Sequence, residues 1–123
     1  MPAQSSGSPR EFSVVFVPCH HSAAEAKRAA RRRGLRPKTI LFLSRKDDPK
    51  LQTFDDIVNA LPPRVRLLIL DDVEYLLPPG QRQPERVRRY LIGLKARHSH
   101  RGFHVVAHMW KAKPVGFRRE ILP

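Results

Sequence analysis

Apolar residues in this chain fall into short runs that alternate with segments carrying one-sided helical stripes. The runs 12–17, 38–43, 65–70 and 103–107 are rich in Val, Ile, Leu and Phe. Mostly apolar runs of this length, without regular alternation, predict strands that are buried on both faces, as in parallel sheets. The pattern therefore predicts four strands.

Helix signals lie between these runs. Ser22 followed by Glu25 is a capping-box signature, and Gly34 stands where the first helix should end. Thr53 caps a second helix, and Pro84 suits the first position of a third. The apolar stripes that should pack on the sheet are Phe54, Ile57, Val58 and Leu61 in the second helix and Val87, Leu91 and Leu94 in the third.

Strands that alternate with helices through short connections predict an α/β fold. We expect a three-layer sandwich with a mainly parallel sheet of about four strands, spanning residues 12–110. A flexible N-terminal lead (1–11) and a basic C-terminal tail (111–123) are expected on either side. The lead has no apolar segment of signal-peptide type, and a lone cysteine, Cys19, rules out an internal disulfide. These features favour a cytoplasmic protein, or a nuclear or virion-associated one, over a secreted one.

The charge balance indicates a polyanionic partner. The chain carries a formal net charge of +13 and has a pI near 11.2. A field of this sign attracts nucleic acid first, with DNA the expected form, and acidic membrane surfaces or acidic protein partners second. The basic residues expected to contact nucleic acid are Lys27, Arg28, Arg31, Arg32, Arg86, Arg89, Arg97, Arg101, Lys111 and Lys113.

The candidate chemistry centres on Asp71 and Asp72, which follow the third apolar run, and on Glu74 just beyond them. Ligands of parallel sheets bind outside the carboxyl ends of the strands. Two carboxylates there can hold a magnesium ion or position a water molecule. His108 ends the fourth run and should reach the same edge. The plainer interpretation is a pair of solvated acids that form ion pairs with nearby arginines.

The loop after the first strand, residues 18–22, should meet the same edge and supplies Cys19, His20, His21 and Ser22 as candidate cofactor-binding residues. A thiol near a helix N-terminus has a lowered pKa and can act as a nucleophile. A small residue at a tight turn explains Cys19 more simply. Zinc is not favoured, because a structural zinc site needs four convergent ligands in paired short spacings. The residues weighed for zinc are Cys19, His20, His21, His98, His100, His104 and His108.

The run ending in Asp71-Asp72 resembles the Walker B element of P-loop nucleoside triphosphate hydrolases, in their additional-strand branch. The segment 97–106 looks like a run found in DNA translocases and packaging motors, and 71–76 looks like the second motif of superfamily-two helicases. The resemblance implies ATP and magnesium as cofactors, with Asp71 holding the ion and Asp72 activating the attacking water. It also implies a sensor role for His108 and a homo-oligomer or a larger motor as partner.

The sequence departs from that family at the phosphate loop. Such a loop needs Gly-rich backbone and a Lys to wrap phosphates, and residues 18–22 contain neither. The expectation is therefore a degenerate or accessory P-loop-like domain in DNA translocation, packaging or helicase loading. The alternatives are a metal-dependent nuclease or phosphohydrolase that uses Asp71, Asp72 and Glu74, and a non-enzymatic basic interaction module. Backbone N–H groups around a cavity at this loop would favour nucleotide binding, whereas histidines filling the space would disfavour it.

Overall fold

The computed structural model describes residues 11–98, 101–109 and 119–122. The strands are β1 (Val14–Pro18), β2 (Leu41–Phe42), β3 (Leu67–Asp71), β4 (His104–His108) and β5 (Arg119–Leu122), and the helices are α1 (Ala23–Arg32), α2 (Phe54–Asn59) and α3 (Pro84–His98). One sheet contains all five strands in the order β2-β1-β3-β4-β5. Strands β1 to β4 are parallel, and β5 pairs antiparallel with β4. The predicted α/β fold class is confirmed.

The sheet has a helical layer on each face. Residues that alternate along β1, β3 and β4 point to one face and form the core with the stripes of α2 and α3. Helix α1 lies against the other face, over Phe16 and Phe42. This arrangement follows from right-handed crossovers, since the chain moves outward from β1 to β2 and then back past β1 to β3. The buried strand residues of the core are Val15, Val17, Leu68, Leu70, Val105 and Ala107.

The predicted helix starts are present as hydrogen-bonded caps. The Ser22 hydroxyl accepts from the Glu25 backbone N–H at 3.2 Å, and the Glu25 carboxylate accepts from the Ser22 N–H at 2.9 Å. Thr53 and Asp56 form the same reciprocal pair at the start of α2. Gly34 has a φ of +78°, which a residue with a Cβ adopts only with strain, and so it ends α1 as predicted.

Two strands differ from the prediction. The second strand, expected over 38–43, has only two residues, because Pro37 opens a 3₁₀ turn (Pro37–Thr39) that includes Lys38. Strand β5 was not expected, because Arg119–Leu122 is too short and too polar at its start to stand out from a basic tail. The strand forms because its backbone pairs antiparallel with β4, a long-range contact that the local sequence does not indicate.

Several expectations fall outside the described residues. They include residues 1–10 of the predicted lead and most of the predicted tail, with Lys111 and Lys113. His100 also lies outside them. Within the described ranges, none of the helices is long and apolar enough to cross a lipid bilayer.

Candidate metal site and basic groove

The site lies where the sheet topology opens a crevice. In the strand order β2-β1-β3-β4, the chain leaves β1 toward one side and β3 toward the other. Doubly wound sheets bind ligands at such a switch point, outside the carboxyl ends of the two strands. Pro18 at the end of β1 is paired in register with Asp71 at the end of β3, and Asp71 with His108 at the end of β4. The register therefore brings the predicted acid and the predicted histidine side by side.

Three of the predicted site residues converge at this edge. Asp71, Asp72 and His108 each offer one ligand atom, and these atoms lie within 4.8 Å of one another. His108 Nδ1 is 2.7 Å from Asp71 Oδ1. Both side chains are about one third exposed, so the cluster faces the crevice while remaining partly shielded from water. Two carboxylates and an imidazole at these separations are able to surround a single cation.

Asp72 is the unusual member of the cluster. It adopts the left-handed conformation with φ +55°, the only non-glycine residue with positive φ in the described part of the chain. Its side chain is only 9% exposed, and Oδ2 lies 3.6 Å from His21 Nε2. Burial, with the nearby charges of Asp71 and Glu74, raises the pKa of Asp72 to about 6. A strained backbone and a buried, crowded acid together are typical of functional sites.

Glu74, the third predicted acid, does not join this convergent group. It lies in the 3₁₀ turn Val73–Leu76 and is completely buried. Its charge still acts on the site, since it contributes to the raised pKa of Asp72. Glu74 is therefore an internal acid beneath the site rather than one of the atoms facing the crevice.

The loop over residues 18–22 does not form a phosphate cradle. The Cys19 N–H donates to the Asp71 carbonyl at 2.9 Å, and the Ser22 N–H donates to the Glu25 carboxylate. The Ala23 N–H, at the first position of α1, donates to Asp47 Oδ2 at 2.8 Å. Carboxylates of the protein itself thus occupy the start of α1, where a phosphate would otherwise meet amide donors and the helix dipole.

The side chains of Cys19, His20 and His21, which were predicted to bind a cofactor, do not converge on one site. The Cys19 thiol is buried, and this burial raises its pKa, which is the opposite of what a nucleophile needs. His20 stacks on Tyr75 with ring centroids 3.9 Å apart, and the guanidinium of Arg82 lies 4.2 Å from the same ring. Burial, together with the neighbouring His21, lowers the pKa of His20. Of these residues, His21 is the one in contact with the acid cluster.

A groove runs from the acid cluster between α1 and the sheet, with a volume of about 810 Å³. It exists because α1 presents Ala26, Ala29 and Ala30 to the sheet, and alanine side chains leave the gap unfilled. Aromatic rings of Phe16 and Phe42 line its sheet side. On the helix side, the groove is lined by three arginines from α1 and its C-terminal cap: Arg28, Arg32 and Arg33.

The predicted nucleic-acid contacts are divided between the two faces of the sheet. Arg28 and Arg32 line the groove, whereas Arg86 and Arg89 belong to α3 on the opposite side. Arg97 donates to the Asp55 carboxylate at 2.8 Å, and Arg101 lies 3.5 Å from the Asn59 side-chain oxygen. These cations therefore do not all lie on one surface.

Some residues that shape the site gave no signal in the sequence. Asp47 reaches the start of α1 from 24 positions away, and Arg45 donates to the Tyr75 carbonyl from 30 positions away. Phe16 and Phe42 appeared only as strand residues. Their roles depend on contacts between distant segments, which local spacing does not encode.

Comparisons with known proteins assign no family. No protein-family model matches the chain, and no curated protein matches its sequence. The resemblance to P-loop nucleoside triphosphate hydrolases therefore stays a prediction based on the Asp71-Asp72 run and its neighbours. The geometry of the acid cluster and of the groove carries the functional argument.

Proposed function

We propose that this chain is a magnesium-dependent phosphodiesterase that acts on nucleic acid, with Asp71 and Asp72 as the ion-binding pair. The observation that carries the proposal is the crowding of negative charge at one point of a protein with a net charge of +13. Burial, and after it the charges of Asp71 and Glu74, raise the pKa of Asp72, so a second negative charge at this point is unfavourable. A divalent cation offsets this negative charge.

Magnesium suits this donor set. It is commonly held by one or two carboxylates together with substrate phosphates, rather than by a cage of protein ligands. When bound, the ion would polarise the phosphodiester and lower the pKa of a bound water molecule. His108 Nδ1, at 2.7 Å from Asp71 Oδ1, fixes the orientation of that carboxylate. His21, which is exposed at the crevice beside Asp72, is the group positioned to give a proton to the leaving oxygen.

The substrate class follows from charge. Arg28, Arg32 and Arg33 line the groove that leads to the acid cluster. Cations arranged along a groove neutralise consecutive phosphates, and this term dominates non-specific nucleic-acid affinity. A polyanion held there would present a phosphodiester to the acid pair.

Nucleotide hydrolysis of the P-loop type is less well supported. Glu25 and Asp47 accept from backbone N–H groups at the start of α1, where a triphosphate would need those donors. The side chain of His21, from the loop over residues 18–22, also lies in the crevice, with Nε2 3.6 Å from Asp72 Oδ2. These contacts favour the phosphodiesterase over the accessory nucleotide-binding domain.

Cleavage of a labelled oligonucleotide, with and without magnesium, tests the proposal. We expect turnover that EDTA abolishes and that Asp71→Asn and Asp72→Asn each reduce by about a hundredfold or more. Asp48→Asn, which neutralises an exposed carboxylate in the 44–51 turn, is the matched control and should retain activity.

Three results would contradict the proposal. Full turnover in Asp72→Asn would remove the acid pair from the mechanism. Magnesium-dependent ATP hydrolysis that Asp72→Asn abolishes, without any oligonucleotide cleavage, would favour the P-loop-like domain. Salt-sensitive binding to nucleic acid without turnover of either substrate would instead favour the non-enzymatic interaction module.

A further inference from the structure

The groove beside α1 has three properties that suit a single strand of nucleic acid better than a duplex. It has a cationic wall, a half-buried aromatic floor and a volume of about 810 Å³. Duplex DNA keeps its bases stacked inside, so a duplex would meet the arginines only. Unpaired bases, in contrast, stack on aromatic side chains while their phosphates follow neighbouring cations.

We propose that this groove binds a single strand of nucleic acid, whose bases contact Phe16 and Phe42 and whose phosphates contact Arg28, Arg32 and Arg33. The inference rests on the proposed function for the placement of the scissile phosphate near Asp71. Binding of the strand itself depends only on the groove.

The aromatic floor is formed by neighbouring strands. Phe16 and Phe42 are partners in the parallel register of β1 and β2, and their ring centroids lie 5.4 Å apart at an interplanar angle of 45°. Lys27 Nζ lies 5.8 Å from the Phe42 ring, so a cation stands beside the floor. Alternating aromatic and cationic contacts of this kind are typical of sequence-tolerant single-strand binding.

The direction of the groove leads a strand toward the acid cluster. Helix α1 begins near His21 and Asp72 and runs back along the sheet. Its ten residues span about 15 Å. Arg32, Arg33 and the exposed Leu35 lie at its far end. A strand entering there would pass the aromatic floor before its phosphodiester reached the acids.

Fluorescence anisotropy with a labelled oligothymidylate, measured in EDTA at low salt, tests this inference apart from catalysis. The double substitution Arg28→Glu with Arg32→Glu should weaken binding by about tenfold or more. The charge-matched double substitution Arg86→Glu with Arg89→Glu, on α3 across the sheet, should have a clearly smaller effect. An equal loss in both pairs would overturn the assignment to the groove.

The stacking role has its own comparison. Phe42→Leu keeps an apolar side chain but removes the ring, and we expect about tenfold weaker binding of oligothymidylate. Phe42→Trp should retain the affinity of the parent protein. Unchanged affinity in Phe42→Leu, or tighter binding of a duplex of equal length than of the single strand, would overturn the inference.

The two proposals can fail separately. Loss of strand binding in the groove variants, together with no magnesium-dependent cleavage by the parent, would retain the groove and reject the phosphodiesterase. Cleavage that needs Asp72 but is insensitive to all groove substitutions would retain the phosphodiesterase and reject strand binding in the groove.

Discussion

Asp71 and His108 end neighbouring strands at the same level, and Nδ1 of the histidine lies 2.7 Å from Oδ1 of the aspartate. The parallel register of β3 and β4 creates this contact, because it pairs these two residues directly. The interaction orients the carboxylate that faces Asp72, and it gives the predicted metal site a support from a second strand.

Removing that support should weaken metal binding without unfolding the sheet. We expect His108→Ala to reduce magnesium affinity by about tenfold or more, because groups that orient a ligand typically have effects of this size. Isothermal titration calorimetry measures the change. His104→Ala, at the exposed opposite end of the same strand, is the control and should leave the affinity unchanged. Equal affinities in both variants would assign His108 no part in the site.

Asp72→Asn should make the protein more stable at neutral pH while abolishing its magnesium response. The unfolded chain ionises Asp72 near 3.8, whereas the folded chain does so at about 6. The folded state therefore binds more protons between these pH values, and stability falls as pH rises from about 4 to 6. Asparagine does not ionise, and it tolerates the left-handed backbone. We expect a gain on the order of 1–3 kcal/mol at pH 7 and almost none below pH 4.

Chemical denaturation of Asp72→Asn and of the parent across this pH range measures the difference. Magnesium should stabilise the parent at neutral pH and leave the variant unaffected, because an ion that binds only the folded state adds stability by mass action. A variant that is less stable than the parent at pH 7 would contradict the strained, charge-crowded description of Asp72.

The contact between α2 and α3 predicts a second pH dependence with the opposite sign. Hydrogen bonds from His98 and then Arg97 lower the pKa of Asp55. This stabilisation is present above the ordinary pKa of 3.8 and is lost as pH falls through the lowered folded value. Asp55→Asn should destabilise the protein at pH 7 by about 0.5–1 kcal/mol, since the carboxylate is exposed.

Urea denaturation at pH 7 and at acidic pH checks the Asp55 prediction. The gap between Asp55→Asn and the parent should narrow on acidification. Asp48→Asn, which removes an exposed carboxylate in the 44–51 turn, should show no such pH-dependent gap.

The first helix depends on its cap. Ser22→Ala removes the hydroxyl that accepts from the Glu25 N–H, and we expect a loss of about 1 kcal/mol in the free energy of unfolding. Ser13→Ala, at an exposed position before β1, should be close to neutral. Equal stabilities in the two variants would show that Asp47, which also accepts from the start of α1, holds the helix end without Ser22.

Residues close together in the sequence were enough to predict much of the fold. The Ser22–Glu25 and Thr53 caps, the buried stripe of α3 and the acid-bearing end of β3 all depend on residues within one or two turns of each other. Strand identity was readable for the same reason, since apolar runs of five or six residues suffice to define it. These elements formed close to the predicted positions, although β2 is shorter than predicted and its start is delayed by the 3₁₀ turn at Pro37.

Long-range contacts decided what the sequence left open. The register of β3 against β4 joined Asp71 to His108, and the arrival of Asp47 from another loop closed the start of α1. Three alanines facing the sheet left the groove unfilled beside Phe16 and Phe42. Each outcome depends on which distant segments meet, a property of topology and packing that local residue spacing does not contain. The acids at the end of β3 were thus set by the sequence, and their surroundings were set by the tertiary structure.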